Sequence, residues 1–413
     1  MRILSVTESY WPFLEFGGPP VKVRALARGL ARRGHAVTVL TADWGFEERL
    51  RGAQAQGVDR CPFGWRHVDE GVTAIYLPTW LRFRASTWNP AVKRFCRARL
   101  GDFDVAHIYG LYDFLGPAVA AACAKRKIPY VLEPIGMYVP IVRSLWLKRT
   151  YHAVYGKRLF EGASAVVATS QQEVEELAAG AIARNRIRLR RNGVEAPAAW
   201  PEPGGFRKRL GIADDAKLIL FLGRLSEKKS PDLLLRAFAL LTREGQGKDL
   251  QLVFAGPDEG GMKARLAKMV DQIGAGARVK FAGAIFGDEK WAAYRDADVF
   301  VLPSQNENFG NTAAESVAAG TPVVVTEQCG IAPLLAETAG LVVPHEAKAL
   351  AGAIRRELGE PGLHARLAAG CQGVTASLSW EGPVHEMETL YNELAIQRAA
   401  KAESFFFTPE SKE

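Results

Sequence analysis

Twice along this chain a short apolar strand runs into a glycine-containing loop, then a helix, then another strand. The first pass fills the opening forty residues. RILSVT is an apolar run, and a loop with Gly17 and Gly18 follows it. VKVRALARGLARRGH then sets Val23, Leu26, Ala27 and Leu30 at helical spacing, with Arg on the other face. Gly34 stands where a helix C-cap favours a residue at positive φ, and AVTVLT is the next strand. Two strands joined through a helix run parallel, because the helix carries the chain back to the starting edge of the sheet.

Further strand candidates are VTAIYL (72–77), DVAHIY (104–109), PYVLEP (129–134), SAVVATS (164–170) and RIRLRRNG (186–193), mostly separated by helical stretches. Residues 196–216 open on APAAWPEPGG, rich in Pro and Gly, which reads as a linker. After it the pattern restarts. KLILFLGRL is a strand entering a Gly-containing loop, and PDLLLRAFALL is a helix with Pro at its start. LQLVFAG, RVKFAG, ADVFVLP and PVVVT are further apolar strands. Two successive βα series in 413 residues predict two doubly wound α/β domains of roughly 200 residues each. The expected bounds are 1–195 and 196–380, with 381–413 a last helix and tail. Val384, Met387, Leu390, Tyr391 and Leu394 share one face of that helix. Phe405 to Phe407 in the tail tether the chain, pack on its body or are disordered.

The apolar fraction of 48% suffices for two cores. Cys61, Cys96, Cys123, Cys329 and Cys371 lie far apart, without metal-ligand spacing. Reduced thiols in a cytoplasmic protein, and no metal site, are therefore expected. The start, MRILSVTESYWPF, lacks the basic and apolar regions of a signal peptide, and no run of 18 apolar residues occurs. Walker A, GxSxG and a GxGxxG after the first strand are all absent. Asp102 and Asp104 form a DxD pair that reads as a strand start. The net charge of +8 is uneven: residues 1–200 carry 29 Lys/Arg against 17 Asp/Glu, the remainder 24 against 28. A basic first half suits an anionic partner, or is merely solvated Arg on helix faces.

PSQNENFGNTAAESVAAGTPVVVT (303–326) carries the strongest chemical signal. A strand ends at Pro303, and a polar loop holds Glu307, Phe309, Gly310 and Asn311. A small-residue helix is expected from about Thr312 to Ala319, with Glu315 one turn in. Its N-terminus offers unpaired N–H groups and a positive dipole end. Two carboxylates beside it would repel a phosphate yet accept hydrogen bonds from sugar hydroxyls. That suits a ligand with many hydroxyls and a separate phosphate; the alternative is a cap with solvated Glu. GRLSEKKSPDLL (223–234) places Arg224 and Lys229 between a strand end and a helix. Open α/β sheets bind ligands there, so two cations could neutralise a diphosphate, or be surface charges.

These residues resemble the retaining family-4 glycosyltransferases. Their fold is GT-B: two facing Rossmann-like doubly wound domains with a C-terminal crossover helix. ENFGNTAAE matches the family's E-x7-E motif. The likeness covers nearly the whole chain, through the Gly17–Gly18 loop, GDFDVAHIYG (101–110), PYVLEPIGM (129–137), IRLRRNGVE (187–195), GRLSEKK (223–229), VFAGPDEGG (253–261), VKFAG (279–283), ADVFVLPS (297–304) and the final SWE helix. It implies that 1–195 is the acceptor side, 196–380 holds the nucleotide-sugar donor, and 381–413 crosses back to the first domain. By resemblance Arg224 and Lys229 hold the donor diphosphate, and Glu307 contacts the donor sugar. These three are the catalytic candidates. The backbone of Phe309, Gly310 and Asn311 would approach sugar or phosphate oxygens, and Glu315 would bind the ribose hydroxyls. Gly17 and Gly18 would approach the diphosphate from the opposite domain. The family often has His-x-His at the end of the fourth strand; here it is His107-Ile108-Tyr109. Ile135 likewise stands where many members have His. His107 and Tyr109 are candidate substrate contacts, and His107 is equally readable as an ordinary strand histidine.

The implied reaction moves a sugar from a nucleotide diphosphate sugar to an acceptor hydroxyl with retained configuration. It belongs to glycan, polysaccharide, lipopolysaccharide or glycolipid biosynthesis, and needs neither metal nor other cofactor. A nucleotide-sugar 2-epimerase shares this fold and is one rival; a catalytically dead nucleotide-sugar binder is another. The expected partners are the donor, a saccharide or lipid-linked acceptor, and an anionic membrane surface, with no nucleic acid. The membrane enters through SLWLKRTYHAVYGKRLF (144–160), which interleaves Lys148, Arg149, Lys157 and Arg158 with Trp146, Tyr151, Tyr155 and Phe160. Such a stretch suits a helix lying on the inner face of the cell membrane, unless its rings fill the core.

Overall fold

A computed structural model describes residues 1–13, 17–46, 48, 57–83, 86–140, 145–243 and 249–406, with side chains as far as 400. Ser144, Phe407 and the side chains of Phe405 and Phe406 lie outside the described residues, and so does the expected aromatic tether. The chain divides into two compact units: Met1–Arg191 with Trp380–Glu413, and Asn192–Ser379.

The first unit is built on β1 (Arg2–Val6), β2 (Ala36–Ala42), β3 (Val58–Cys61), β4 (Gly64–Asp69) and β5 (Val72–Leu77). A small hairpin of β6 (Leu81–Phe83) and β7 (Ser86–Trp88) follows, then β8 (Val105–Tyr109), β9 (Tyr130–Glu133), β10 (Ala165–Ala168) and β11 (Ile187–Leu189). One sheet runs β11-β10-β9-β8-β1-β2-β5-β4-β3, parallel except where β4 pairs antiparallel with β3 and β5. Its central strands are buried on both faces, which is why they read as continuous apolar runs. The edge pair β3–β4 is not legible in the sequence, because VDRC and GWRHVD carry no apolar run; a neighbouring strand, not local propensity, makes them strands. Helix Gly18–Arg32 buries Val23, Leu26, Ala27 and Leu30. They cluster with Val384, Met387, Leu390, Tyr391 and Leu394 from the last helix, Glu381–Phe406.

The second unit is a parallel sheet of β12 (Lys217–Leu222), β13 (Leu250–Ala255), β14 (Val279–Gly283), β15 (Val299–Leu302), β16 (Val323–Thr326) and β17 (Gly340–Val343). Their order is β14-β13-β12-β15-β16-β17, with a hydrophobic core on each face. The linker reading of 196–216 needs correction. Residues Gly205–Leu210 are a helix, not a loose connection. The Asp296 carboxylate accepts the amides of Gly204, Phe206 and Arg207 at 2.6, 2.8 and 3.0 Å, and Phe206 is buried. A cap of that kind contributes about 1 kcal/mol, and here it comes from far along the chain.

Among the parallel strands the order reverses once in each unit. β1 lies between β8 and β2, and β12 lies between β13 and β15. Ligands of open α/β sheets bind outside the carboxyl ends of the strands at such a reversal, because the two outgoing loops part there and leave a crevice.

Candidate active site

In the second unit the crevice lies between the loops that leave β12 and β15. These loops are stitched together. The Gln305 amide donates to the Lys228 carbonyl at 3.0 Å, and Gln305 Nε2 donates to the Glu227 carbonyl at 3.0 Å. Lys229 Nζ donates to Glu307 Oε2 in a close ion pair, each side chain only 16% exposed. Arg224 is half exposed and reaches Glu259 at 3.3 Å. Burial would raise the Glu307 carboxyl, but Lys229, with Lys228 and Arg224 beyond it, outweighs burial and holds it below the usual range. The Glu307 backbone is pinned as well: its amide donates to the Gln328 carbonyl and its carbonyl accepts from Gly330. Two glycines permit the close packing. A Cβ on Gly256 would sit 1.9 Å from the Gly223 carbonyl oxygen, where β12 and β13 end. A Cβ on Gly310 would meet Ile331 at 2.9 Å, and Gly310 has φ +105.

Gly310 starts the helix Asn311–Ala318, one residue before its expected beginning, and no side chain caps that N-terminus. The Phe309 ring is buried in the core, so this residue can offer only its backbone to a ligand. Asn311 Oδ1 accepts from Asn192 Nδ2 at 3.0 Å. One turn on, both oxygens of Glu315 are held from helix Gly287–Asp296: Lys290 Nζ donates at 2.8 Å and the Tyr294 hydroxyl at 2.9 Å. Burial and then Glu315 push the Tyr294 hydroxyl well above its ordinary range, so it stays a donor. Lys290 and Tyr294 were not in the sequence-based site. They lie four apart in an ordinary-looking helix, and only the fold brings them to Glu315.

Sequence-based site residues of the first unit part company. Gly17, at φ +93, and Gly18 begin helix Gly18–Arg32, in the loop that leaves β1. The structure buries His107 and Tyr109, at 0% and 2% exposure, with their rings stacked 3.9 Å apart. His107 Nδ1 pairs with the Tyr391 hydroxyl at 2.6 Å, and its Nε2 lies 3.4 Å from Glu133. The His107 ring lies edge-on to Tyr391 of the last helix, and Tyr109 packs in the same core cluster as Tyr391. Glu133 is the centre of this group. Lys22 Nζ reaches it at 2.5 Å and Arg190 at 2.6 Å, all three fully or nearly buried. Burial alone would raise Glu133, but Arg190 and Lys22 hold it well below its usual range. No spacing in the sequence announces this buried pairing. At the β1/β8 reversal itself stand two further carboxyls that the sequence reading passed over. Burial, then Asp113, pushes Glu8 up to about 9, against Arg82 and the Thr87 amide. Burial pushes Asp113 up to about 6.

Known proteins match this arrangement along most of its length. The family model described as Glycosyl transferases group 1 matches residues 205–370, and the Glycosyl transferase 4-like domain matches 17–193. A D-inositol 3-phosphate glycosyltransferase from Frankia alni is 30% identical over 407 residues, covering 94% of this chain and 96% of that relative. Among solved structures, Anabaena Alr3699/HepE in complex with UDP and glucose is similar at a TM-score of 0.72 and 19% identity, over 98% of this chain and 100% of that one. WaaG, a glycosyltransferase involved in lipopolysaccharide biosynthesis, is similar at 0.67 and 17%, over 95% and 99%. The chain belongs to the group 1 glycosyl transferases and is a transferase of GT-B fold.

Proposed function

We propose that this enzyme transfers a sugar from a nucleotide diphosphate sugar to an acceptor hydroxyl with retention of configuration. The observation that carries this reading is the stitched crevice at the β12/β15 reversal, where Lys229 and Arg224 gather beside Glu307. Departure of the nucleoside diphosphate builds negative charge on phosphate oxygens, and two fixed cations stabilise that charge more in the transition state than in the ground state. Glu315, oriented by Lys290 and Tyr294, accepts from the ribose hydroxyls. Glu307 accepts from the donor sugar once the diphosphate has taken Lys229. The donor phosphate takes the acceptor proton on the same face, so no side-chain nucleophile is required. The chemistry needs no metal, and turnover in excess EDTA tests that directly.

The UDP and glucose bound by the HepE neighbour support a nucleotide-sugar donor of that class. WaaG supports an acceptor from glycan or glycolipid assembly. The basic first half supports an acceptor with a phosphate or lipid, and work at the inner membrane face. Among the described residues no helix is long and apolar enough to cross a membrane, so attachment would be peripheral. A thermal-shift screen of UDP-, GDP- and ADP-sugars is the first test: a ligand at one hundred times Kd adds about 2.7 kcal/mol to the native state. NMR of the product anomer then tests retention. Incubation with donor alone separates a transferase, which at most hydrolyses the sugar, from an epimerase, which converts it. No shift with any donor sinks the reading.

A further inference from the structure

A cavity of about 520 Å³ opens in the first unit, among residues the transfer chemistry does not use. Helix Leu115–Arg126 lines it with Pro117, Ala118, Ala121 and Ala124, so small side chains leave the space unfilled. Its volume is that of an ordinary ligand pocket, roughly 300–1,000 Å³. Among the described residues two cations stand in the lining, Lys93 and Arg158, and no acidic residue does. Trp88, Phe114 and Tyr155 line it too, each more than a third exposed, so they stand at its mouth.

The mouth continues into an apolar surface. Trp80 is 71% exposed and lies edge-on to Trp88 at 6.1 Å. Trp146, on helix Leu145–Tyr151, is 70% exposed. Of the rings in the 144–160 stretch, Phe160 is in the core and Tyr151 half-buried, while Trp146 and Tyr155 face solvent. Burying rings in water-free core was therefore only part of what this stretch does. A monomer seldom leaves two adjacent indoles such as Trp80 and Trp88 exposed without a partner for them. Indole rings prefer the headgroup level of a bilayer, where one edge is wet and the other apolar. Cations beside them attract anionic lipid.

We propose that this groove takes an acyl chain of an anionic phospholipid drawn from the bilayer, with Lys93 and Arg158 pairing the phosphate and Trp80 and Trp88 seated among the headgroups. The inference rests on the membrane attachment proposed above and gives it a site. Two cations and no carboxylate among the described lining residues favour an anionic headgroup over a neutral one.

The test uses the full chain with vesicles of phosphatidylcholine, with and without phosphatidylglycerol, and with monomeric dihexanoyl-phosphatidylglycerol. Wild type should bind the anionic vesicles roughly thirtyfold more tightly than the neutral ones, the combined pull expected of two cations, and should lose that preference in high salt. Ala121→Trp fills the groove from an exposed helical position. It should abolish binding of the monomeric lipid and weaken vesicle binding about tenfold. Lys93→Glu with Arg158→Glu, both surface changes, should erase the anionic preference. If Ala121→Trp, folded by its melting curve, keeps both affinities, the groove is not a lipid site although membrane attachment stands. If wild type binds the monomeric lipid but no vesicle, the bilayer source is refuted. If it binds neither, membrane attachment and groove fall together, while sugar transfer is untouched.

Discussion

Replacing Glu307 by Gln separates nucleotide binding from sugar transfer. In the free protein Lys229 is already spent on Glu307, and the pair is largely shielded from water. A donor diphosphate can claim the ammonium only by loosening that pair. Gln preserves the shape and removes the charge. A hydrogen bond to a charged group contributes about 1.5–3 kcal/mol when buried, and partial exposure brings this pair down to about 1 kcal/mol. With the competitor gone, the bare nucleoside diphosphate should bind about fivefold more tightly, since 1.4 kcal/mol is tenfold. Transfer should move the opposite way, kcat falling roughly 10²-fold, as for loss of one group that acts in the transition state. Calorimetry with the nucleotide selected by thermal shift, and turnover with its sugar, measure the two effects on one preparation. The same substitution has a pH signature. The folded Glu307 carboxyl is depressed, so its pairing stabilises the protein above the ordinary carboxylate pKa of 4.5 and loses that contribution as pH falls through the folded value. Glu307→Gln should flatten that acid limb. Weaker nucleotide binding than wild type, in a variant that melts normally, would refute the competition between Glu307 and diphosphate.

Arg224→Ala or Lys229→Ala should lower kcat roughly 10²-fold or more, about 3 kcal/mol of lost charge stabilisation, with folding unchanged in Arg224→Ala and about 1 kcal/mol less stable in Lys229→Ala, which strips Glu307 of its partner; near-normal turnover in both rejects the diphosphate role. Glu315→Ala should weaken binding of the bare nucleoside diphosphate, and Tyr294→Phe should do so less, because it removes one of two donors that orient the carboxylate; equal nucleotide affinity in Glu315→Ala and wild type contradicts ribose binding. Glu8 has the opposite sign to Glu307: its folded value, about 9, lies above the ordinary 4.5, so the fold takes up a proton and loses stability as pH rises between them. Wild type should therefore lose more stability than Glu8→Gln between pH 6 and pH 8, by up to about 1.4 kcal/mol per pH unit, read from denaturant melts; parallel curves show that Glu8 is ionised throughout.

Periodicity and punctuation determined a great deal. Central strands such as LILFL, VFVL and VVVT are apolar on both faces because both faces are covered, and the sequence carries that imprint directly. The face of the last helix was equally plain in the spacing of Val384, Met387, Leu390, Tyr391 and Leu394, all of them buried. Candidate site residues, Arg224, Lys229 and Glu307 on strand-end loops and Glu315 on the helix that follows, could be picked out because the doubly wound pattern says where ligands go and the family motif marks those positions. Only the tertiary structure decided which charges would meet. Lys229 with Glu307, Lys290 with Glu315, and Lys22 and Arg190 with Glu133 are pairs from distant segments whose partners no local pattern names. The same holds for the helix Gly205–Leu210 capped by Asp296, and for His107, whose Nδ1 pairs with the Tyr391 hydroxyl from the far end of the chain. A hydrophobic pattern repeats with the backbone and so is written in spacing. A buried polar contact depends on one side chain meeting one partner across the fold, and no spacing records that meeting.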